Sequence, residues 1–574
     1  MTSQTFPDII VKDILSLLTI HVARGLGGFK HFQNLHRNLS IVCKQWYNIF
    51  KKIDFTYHLA ITNSNYFENL KFYFKSSFKK TISYSLCNFT IKDCTLFTQL
   101  FRESIDNVNT FNLNYCSSDK QFSDLLRDNI SQTVLNKSEN PKFPKLKTVT
   151  INSEYSDIDS LAELLKEQTT IENFYYISKI PVDNLPSILQ LSNLKSLNLS
   201  NCKLTSKLLQ ELTDNPDCRL TYLSIFDVTP LGENRENMDN WFKSLSSNKY
   251  LTAFELTFSH DSPNFSVTYD ALVDFINGNS VLKKLVYNGY ILEIPDESYI
   301  AKNQKPITNS TLEEIFMAPN TLITNISYDQ LVFHDFYNFT FIILGKWVGK
   351  SSIEKIVMLV IDSNIVDKIE SGIFPKVSFL RLGYDTKPSQ AELLAKLIKL
   401  NIPTLTRLEV KKNRDLFDVL SGDIFTNLNL NRSLKQLHIS YIAQKDLIVF
   451  LNMNHPTISV FEVMEVGQWD STDGYLQALS TNTTLTSLKF TVYQLKNTFV
   501  LDLVISTIKS NSNLIHLMLS GSINMFAPSL DQNYRLQEFS ELIYENAHRL
   551  LTVRIQNGYT QHLNILNKYL IRAY

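Results

Sequence analysis

The chain has no charge of one sign to spare. Its 56 Lys and Arg balance 56 Asp and Glu, so the formal net charge is zero. No global electrostatic pull toward nucleic acid or an anionic membrane is expected, and neither is expected as a partner. Glycine and proline are scarce, at 15 and 16 of 574 residues, which leaves no flexible low-complexity linker. Long hydrophobic runs are missing too. The longest, Phe339–Leu344, is far too short to span a bilayer. The six cysteines, at 43, 87, 94, 116, 202 and 218, show no paired or metal-ligand spacing. They read as reduced thiols of an intracellular protein, cytoplasmic and/or nuclear. The opening MTSQTFPDIIVKDIL lacks a basic n-region and carries Asp8, Lys12 and Asp13, so it is not expected to be a signal or transit peptide. Among catalytic motifs, G-x-x-x-x-G-K-[ST], H-E-x-x-H and G-x-S-x-G are all wanting, and Gly25-Leu-Gly27-Gly28 follows no strand pattern. The eleven histidines are scattered singly. No catalytic assembly, metal or cofactor is expected.

What the chain does hold is a recurring triplet. In Leu194-Lys-Ser-Leu197-Asn-Leu199-Ser-Asn-Cys202, apolar residues fall at relative positions 1, 4 and 6. The 4-to-6 step has the period of a strand with one buried face. The triplet returns about sixteen times, from Val108/Phe111/Leu113 to Leu550/Val553/Ile555, at a mean spacing of about 29 residues. Amphipathic helical runs such as Tyr269–Phe275, Asp446–Leu451 and Leu501–Ile508 lie between copies. Asn248, Asn279, Asn309, Asn431, Asn482 and Asn511 each stand three residues ahead of a triplet. Asparagine tolerates the left-handed conformation that ends helices, so these are expected to be helix stops. Two long spacings, 312 to 353 and 514 to 550, should hold loops or insertions. With Leu204 completing L-x-x-L-x-L-x-x-N/C-x-L, the pattern resembles the leucine-rich repeat. The fold class expected is therefore α/β: a horseshoe solenoid over 106–574, with a parallel sheet on its concave face. Residues 58–105 read as degenerate repeats or a connector. Their aromatics among lysines, such as Tyr66, Phe67 and Phe72, read as repeat packing rather than base stacking.

Residues 1–57 carry no triplet. Pro7 suits a first helical turn, with Asp8 at the positive helix end, and Ile10, Ile14, Leu17 and Leu18 follow at helical spacing. A second stripe runs through Leu35, Leu39, Val42, Cys43, Trp46, Ile49, Phe50 and Ile53. FPDIIVKDILSLL followed by NLSIVCKQWYNIF resembles the F-box, with Pro7, Ile14, Leu15, Val42, Cys43, Lys44 and Trp46 matching its pattern. Phe6 replaces the usual Leu, and the stretch between Leu18 and Val42 is about ten residues longer than that pattern. The resemblance covers roughly a tenth of the chain. It implies a helical head in which Pro7, Ile10, Ile14, Leu15, Val42, Cys43 and Trp46 dock on the Skp-type adaptor of a cullin–RING ubiquitin ligase. The solenoid would then recruit a client protein, and the chain itself would be no enzyme. In the competing reading these helices merely cap the array, and the chain is a stand-alone scaffold or GTPase regulator.

Strand alternation turns positions 3, 5 and 7 of each repeat toward the concave face. Early in the array these positions are small and polar, at Asn112, Thr148, Ser196 and Asn198. They become aromatic at Tyr222, Phe226, Phe316 and Phe379, then charged and mainly basic at Arg381, Arg407, Glu409 and Lys411. Exposed aromatics beside Arg have the composition of interface hot spots. Tyr222 to Lys411 is therefore the expected client surface, favouring an acidic or phosphorylated segment. On this register Leu408→Asp should be severe and Arg407→Ala cheap.

Overall fold

A computed structural model describes residues 55–61, 80–87, 108–115, 145–153, 170–177 and most of 193–555, the longer breaks being 258–264, 293–304, 323–343, 413–421, 493–499 and 522–531. The described residues form two compact units divided at Val281, with Asn288–Leu292 belonging to the first. Each is a parallel α/β stack of leucine-rich-repeat type.

The first unit's main sheet contains β1 (Phe55–Ile61), β2 (Lys80–Cys87), β3 (Val108–Tyr115), β4 (Thr148–Ser153), β5 (Asn173–Ile177), β6 (Ser196–Ser200), β7 (Tyr222–Phe226) and β8 (Ala253–Thr257). They pair in parallel in chain order. Two of these strands, β1 and β2, precede the first sequence triplet. The described helices here are α1 (Ser206–Asp214), α2 (Asp239–Ser246) and α3 (Tyr269–Gly278).

The second unit holds β9 (Lys284–Asn288), β10 (Glu314–Met317), β11 (Lys355–Met358), β12 (Phe379–Tyr384) and β13 (Arg407–Lys412). It continues with β14 (Gln436–Ile442), β15 (Val460–Val466), β16 (Ser487–Val492), β17 (His516–Gly521) and β18 (Thr552–Ile555). Its helices are α4 (Ser363–Glu370), α5 (Pro388–Lys399), α6 (Gly422–Leu430), α7 (Gln444–Asn452), α8 (Asp473–Thr481), α9 (Val500–Ser510) and α10 (Gln532–Asn546). Helix α10 falls inside the long 514-to-550 spacing. In the other long spacing, 323–343 lies outside the described residues.

Register follows the triplets. Position 4 of each strand faces position 4 of the next, giving one unbroken apolar column: Leu285, Ile315, Ile356, Leu380, Leu408, Leu437, Phe461, Leu488, Leu517 and Val553. Every described residue of this column is buried. Full burial of one such side chain contributes about 1.5–3 kcal/mol, so the column is a main source of stability. Helices cover this face. In the first unit Trp241 and Phe242 of α2 and Phe275 of α3 meet Phe254 edge-to-face, with ring centroids 5.5–5.9 Å apart where measured to Trp241 or Phe254. In the second unit Phe450 of α7 stacks on Phe461 at 4.0 Å.

The asparagines act differently from the expected left-handed helix stops. Asn279 and Asn482 do end α3 and α8, but in extended backbone, at φ −86° and −82°. The left-handed conformation belongs instead to residues such as Asn401 and Asn454. The in-phase asparagines at 279, 309, 431, 482 and 511 are buried, at 0–5% exposure. Asn431 shows why. Its Oδ1 accepts the N–H groups of Ser433 and Leu434 (3.0 and 2.9 Å), holding the turn into the strand. Its Nδ2 donates to the Ile398 carbonyl at the end of α5, in the preceding repeat (2.9 Å). Asn279 reaches Leu245 O in the same way, Asn482 reaches Leu451 O, and Asn511 reaches Leu479 O. Each receiving carbonyl belongs to the last turn of a helix, where it also accepts a backbone N–H from just past the helix end, at 3.1–3.2 Å. The left-handed Asn401 and Asn454 give their own N–H groups to Ile398 O and Leu451 O, both at 3.2 Å, so the buried amide adds a second donor that ties each carbonyl to the next repeat.

One repeat uses histidine at this place. His455 is 1% exposed. Its Nδ1 accepts the N–H groups of Thr457 and Ile458, and its Nε2 lies 2.9 Å from Leu428 O at the end of α6. Donation to that carbonyl requires the proton on Nε2, leaving Nδ1 as the acceptor. Near the last strand, Arg549 takes over the donor role, giving hydrogen bonds to Ile508 O and Leu514 O.

Candidate functional site

The sheet face opposite the helices carries positions 3, 5 and 7. In the first unit it is largely neutral. Asn173 Nδ2 donates to Thr148 Oγ1 at 3.2 Å, and the Tyr222 hydroxyl donates to Glu255 Oε2 at 2.9 Å. Phe226, at the end of β7, is half exposed. Tyr222 and Phe226 therefore stand in the first unit. Phe316, Phe379, Arg381, Arg407, Glu409 and Lys411 stand in the second.

In the second unit this face carries three carboxylates, each set between two basic side chains. Glu314 of β10 lies 3.9 Å from Lys284 of β9 and 3.0 Å from Lys355 of β11. Glu409 of β13 takes Arg381 of the neighbouring β12 on one oxygen and Arg407 of its own strand on the other, both at 2.5 Å. Glu462 of β15 accepts from His438 Nδ1 of β14 at 3.3 Å and lies 3.6 Å from Lys489 of β16. The exposed Lys411 side chain has no hydrogen bond or ion pair among the described residues.

The Glu409 group has the tightest geometry. Alternation places Glu409 outward, and such a position would ordinarily be wet. Its side chain is instead 1% exposed, because two guanidiniums close over it. Both also stand against the Phe379 ring, at 5.6 Å for Arg381 and 5.2 Å for Arg407. Phe379 and Arg407 are direct cross-strand partners, as are Arg381 and Glu409. One aromatic ring thus supports both cations, and one carboxylate joins them. Burial pushes the Glu409 carboxyl up, but the hydrogen bonds and charges of Arg381 and Arg407 outweigh it and hold the group below its usual range. The Glu462 carboxyl is also held low. The hydrogen bond from His438 acts with the Lys489 charge against the opposing effect of burial.

This arrangement bears on the expectation that Arg407→Ala is cheap. Arg407 shares the neutralisation of a buried carboxylate. Arg381, Arg407 and Glu409 come together as one group on Phe379, with Lys411 further along β13. Phe316 lies one strand beyond that group, since Val357 of β11 separates it from Arg381 in register. Glu314, His438, Glu462 and Lys489 were passed over in the sequence. Extending the rule for positions 3, 5 and 7 past Lys411 would have found the last three.

Pro7, Ile10, Ile14, Leu15, Val42, Cys43 and Trp46 lie outside the described residues. Cys202 occupies the ninth repeat position and is buried, which pushes its thiol up to about 12, so it is no ready nucleophile. Among the described residues there is no group of three or more potential metal ligands, and no helix is long and apolar enough to cross a membrane.

No protein-family model and no curated protein matches the chain. Among solved structures it is similar to the crystal structure of the Rad7 and Elc1 complex in yeast. That match has 13% identity and a TM-score of 0.35, over 76% of this chain and 90% of that one. A likeness this distant carries no functional inference. The parallel pairing and buried triplets define the class on their own: an α/β solenoid of leucine-rich repeats.

Proposed function

We propose that the chain is a non-catalytic interaction adaptor. Its N-terminal residues hold the Skp-type adaptor of a cullin–RING ubiquitin ligase, and the open sheet face of the repeats holds a client protein inside the cell. The observation that carries this reading is Val42-Cys43-Lys44-x-Trp46, behind a Pro7-led helical pattern and directly ahead of a leucine-rich array. The polar, partly charged open face supports it, since the opposite face is closed by helices. Aliphatic side chains and a Trp at an interface centre commonly supply a few kcal/mol of binding. The chain would bring two proteins together, and the transfer chemistry would belong to its partners.

Co-purification tests the proposal. The full chain should retain a Skp-type adaptor and its cullin. A chain lacking residues 1–53 should lose them while keeping the far-UV circular dichroism of the repeats. Equal capture by both chains, or capture by neither, would refute the ligase reading.

A further inference from the structure

We propose that Phe379, Arg381, Arg407 and Lys411 form a recognition patch for an acidic peptide segment of a partner protein, with Glu409 as its buried positioning residue. The inference rests on the repeat sheet being the partner-binding part of the chain, and is independent of the N-terminal head.

Unspent donors are the first argument. Arg381 uses Nε toward Glu409, and Arg407 uses Nη2. The other N–H groups of both guanidiniums have no protein partner among the described residues. The Phe379 ring behind them and Glu409 between them fix their planes, so a bound carboxylate meets donors already oriented. Both side chains remain open to solvent, at 37% and 44% exposure.

Charge is the second. Glu409 balances one of the two arginines. The other, together with unpaired Lys411, leaves the patch with a surplus of about two positive charges on a chain whose net charge is zero. The neighbouring carboxylates Glu314 and Glu462 are each already held by two basic side chains.

Spacing is the third. Lys411 lies two residues past Glu409 on the same strand, about 6.6 Å further along. Its cross-strand partner is Gly383, which has no side chain to answer it. An extended segment presents alternate side chains on one face at the same interval. A Glu-x-Glu or Asp-x-Asp pair therefore sets one carboxylate on the arginines and the next on Lys411.

The test is fluorescence anisotropy on the full chain. The probes are a labelled short Glu-x-Glu peptide, its Gln-x-Gln counterpart and a single-stranded oligonucleotide. The acidic peptide should bind, and rising salt should weaken it, while the other two should not bind. Removing both arginines alone would strand a buried charge, so two other variants are used. Lys411→Glu leaves the clamp intact. The triple change Arg381→Gln, Arg407→Gln and Glu409→Gln removes the clamp with its anchor. Each should weaken peptide binding by about tenfold or more, the loss typical of a hot-spot contact. No binding of the acidic peptide, equal binding of the Gln peptide or the oligonucleotide, or unchanged affinity in Lys411→Glu would overturn the proposal. A chain that binds the peptide but no Skp-type adaptor would refute the ligase reading while leaving the patch standing.

Discussion

Asn482→Ala should destabilise the second unit in a way that shows how neighbouring repeats are joined. The Asn482 side chain is buried and serves three backbone groups. It accepts the Leu485 and Thr484 N–H groups at 3.0 and 3.2 Å, and it donates to the Leu451 carbonyl at 3.0 Å. Alanine removes all three interactions, and the small void it leaves does not replace them. Each buried backbone group stranded in this way costs about 1–3 kcal/mol. Leu485 N–H is the one left without an acceptor, whereas Leu451 C=O keeps the Asn454 N–H at 3.2 Å, so the expected loss is about 1–3 kcal/mol. Asn452→Ala, on the exposed end of α7, is the control and should stay within about 0.5 kcal/mol. The broken bond to Leu451 crosses from one repeat to the one before. The loss should therefore fall on coupling between repeats, and the transition should broaden as well as shift. Equilibrium urea unfolding, followed by circular dichroism and by the fluorescence of nearby Trp469, reads both effects. If Asn482→Ala and Asn452→Ala unfold at the same midpoint with the same slope, the amide is not a staple and the reasoning fails.

Further expectations rest on the same geometry. Burial first, with the Arg432 charge, holds the His455 pKa below its ordinary 6.5. The neutral ring is then favoured in the fold, so stability is full above pH 6.5 and falls as pH drops below it toward the folded value. His455→Asn should flatten the fall of thermal stability just below pH 6.5, and an unchanged slope there would contradict the assignment. Glu409 and Glu462 are held below their ordinary 4.5, so their contribution is present above that pH and is lost as pH falls through the folded values. Leu408→Asp buries an unpaired charge in the apolar column and should cost several kcal/mol. Arg407→Ala should cost about 1–2 kcal/mol, less than loss of a fully buried partner because Arg381 remains. Lys411→Ala should be near neutral in the same melting experiment, and parity of Arg407→Ala with it would show that Glu409 needs no second cation.

Much of this fold could be read from short-range pattern. Leu194, Leu197 and Leu199 announce a strand with one dry face, and all three are buried, as is Cys202. Apolar alternation is local, so it survives in the letters. Strand β2 and most of β1 fall where only degenerate repeats or a connector could be read: Phe55–Ile61 and Lys80–Cys87 alternate apolar residues, but Lys52 and Lys79 stand where a triplet would begin. The asparagines were seen to recur in phase, but their role was misjudged because the acceptors lie about thirty residues earlier, in helices whose approach only packing decides. Glu409 shows the same limit at the candidate site. Alternation placed it correctly on the open face and wrongly in water, because Arg381, 28 residues away in sequence, covers it. The His455 substitution carried no signal either, since a single histidine gives no period.

The in-phase amide has a consequence for how such an array can change length. Asn279, Asn431, Asn482 and Asn511 each hold their own strand turn and reach back to the helix of the preceding repeat. Nothing in that scheme depends on a repeat's place in the series. Excising the segment from Asn482 through Ser510 would bring Asn511 to the Leu451 carbonyl, the group that Asn482 held. The joint left behind would look like every other joint. A duplicated segment would insert with the same bonding. Whole units can thus be gained or lost without an orphaned donor at the seam, and natural variants of such a chain should differ in steps of one period.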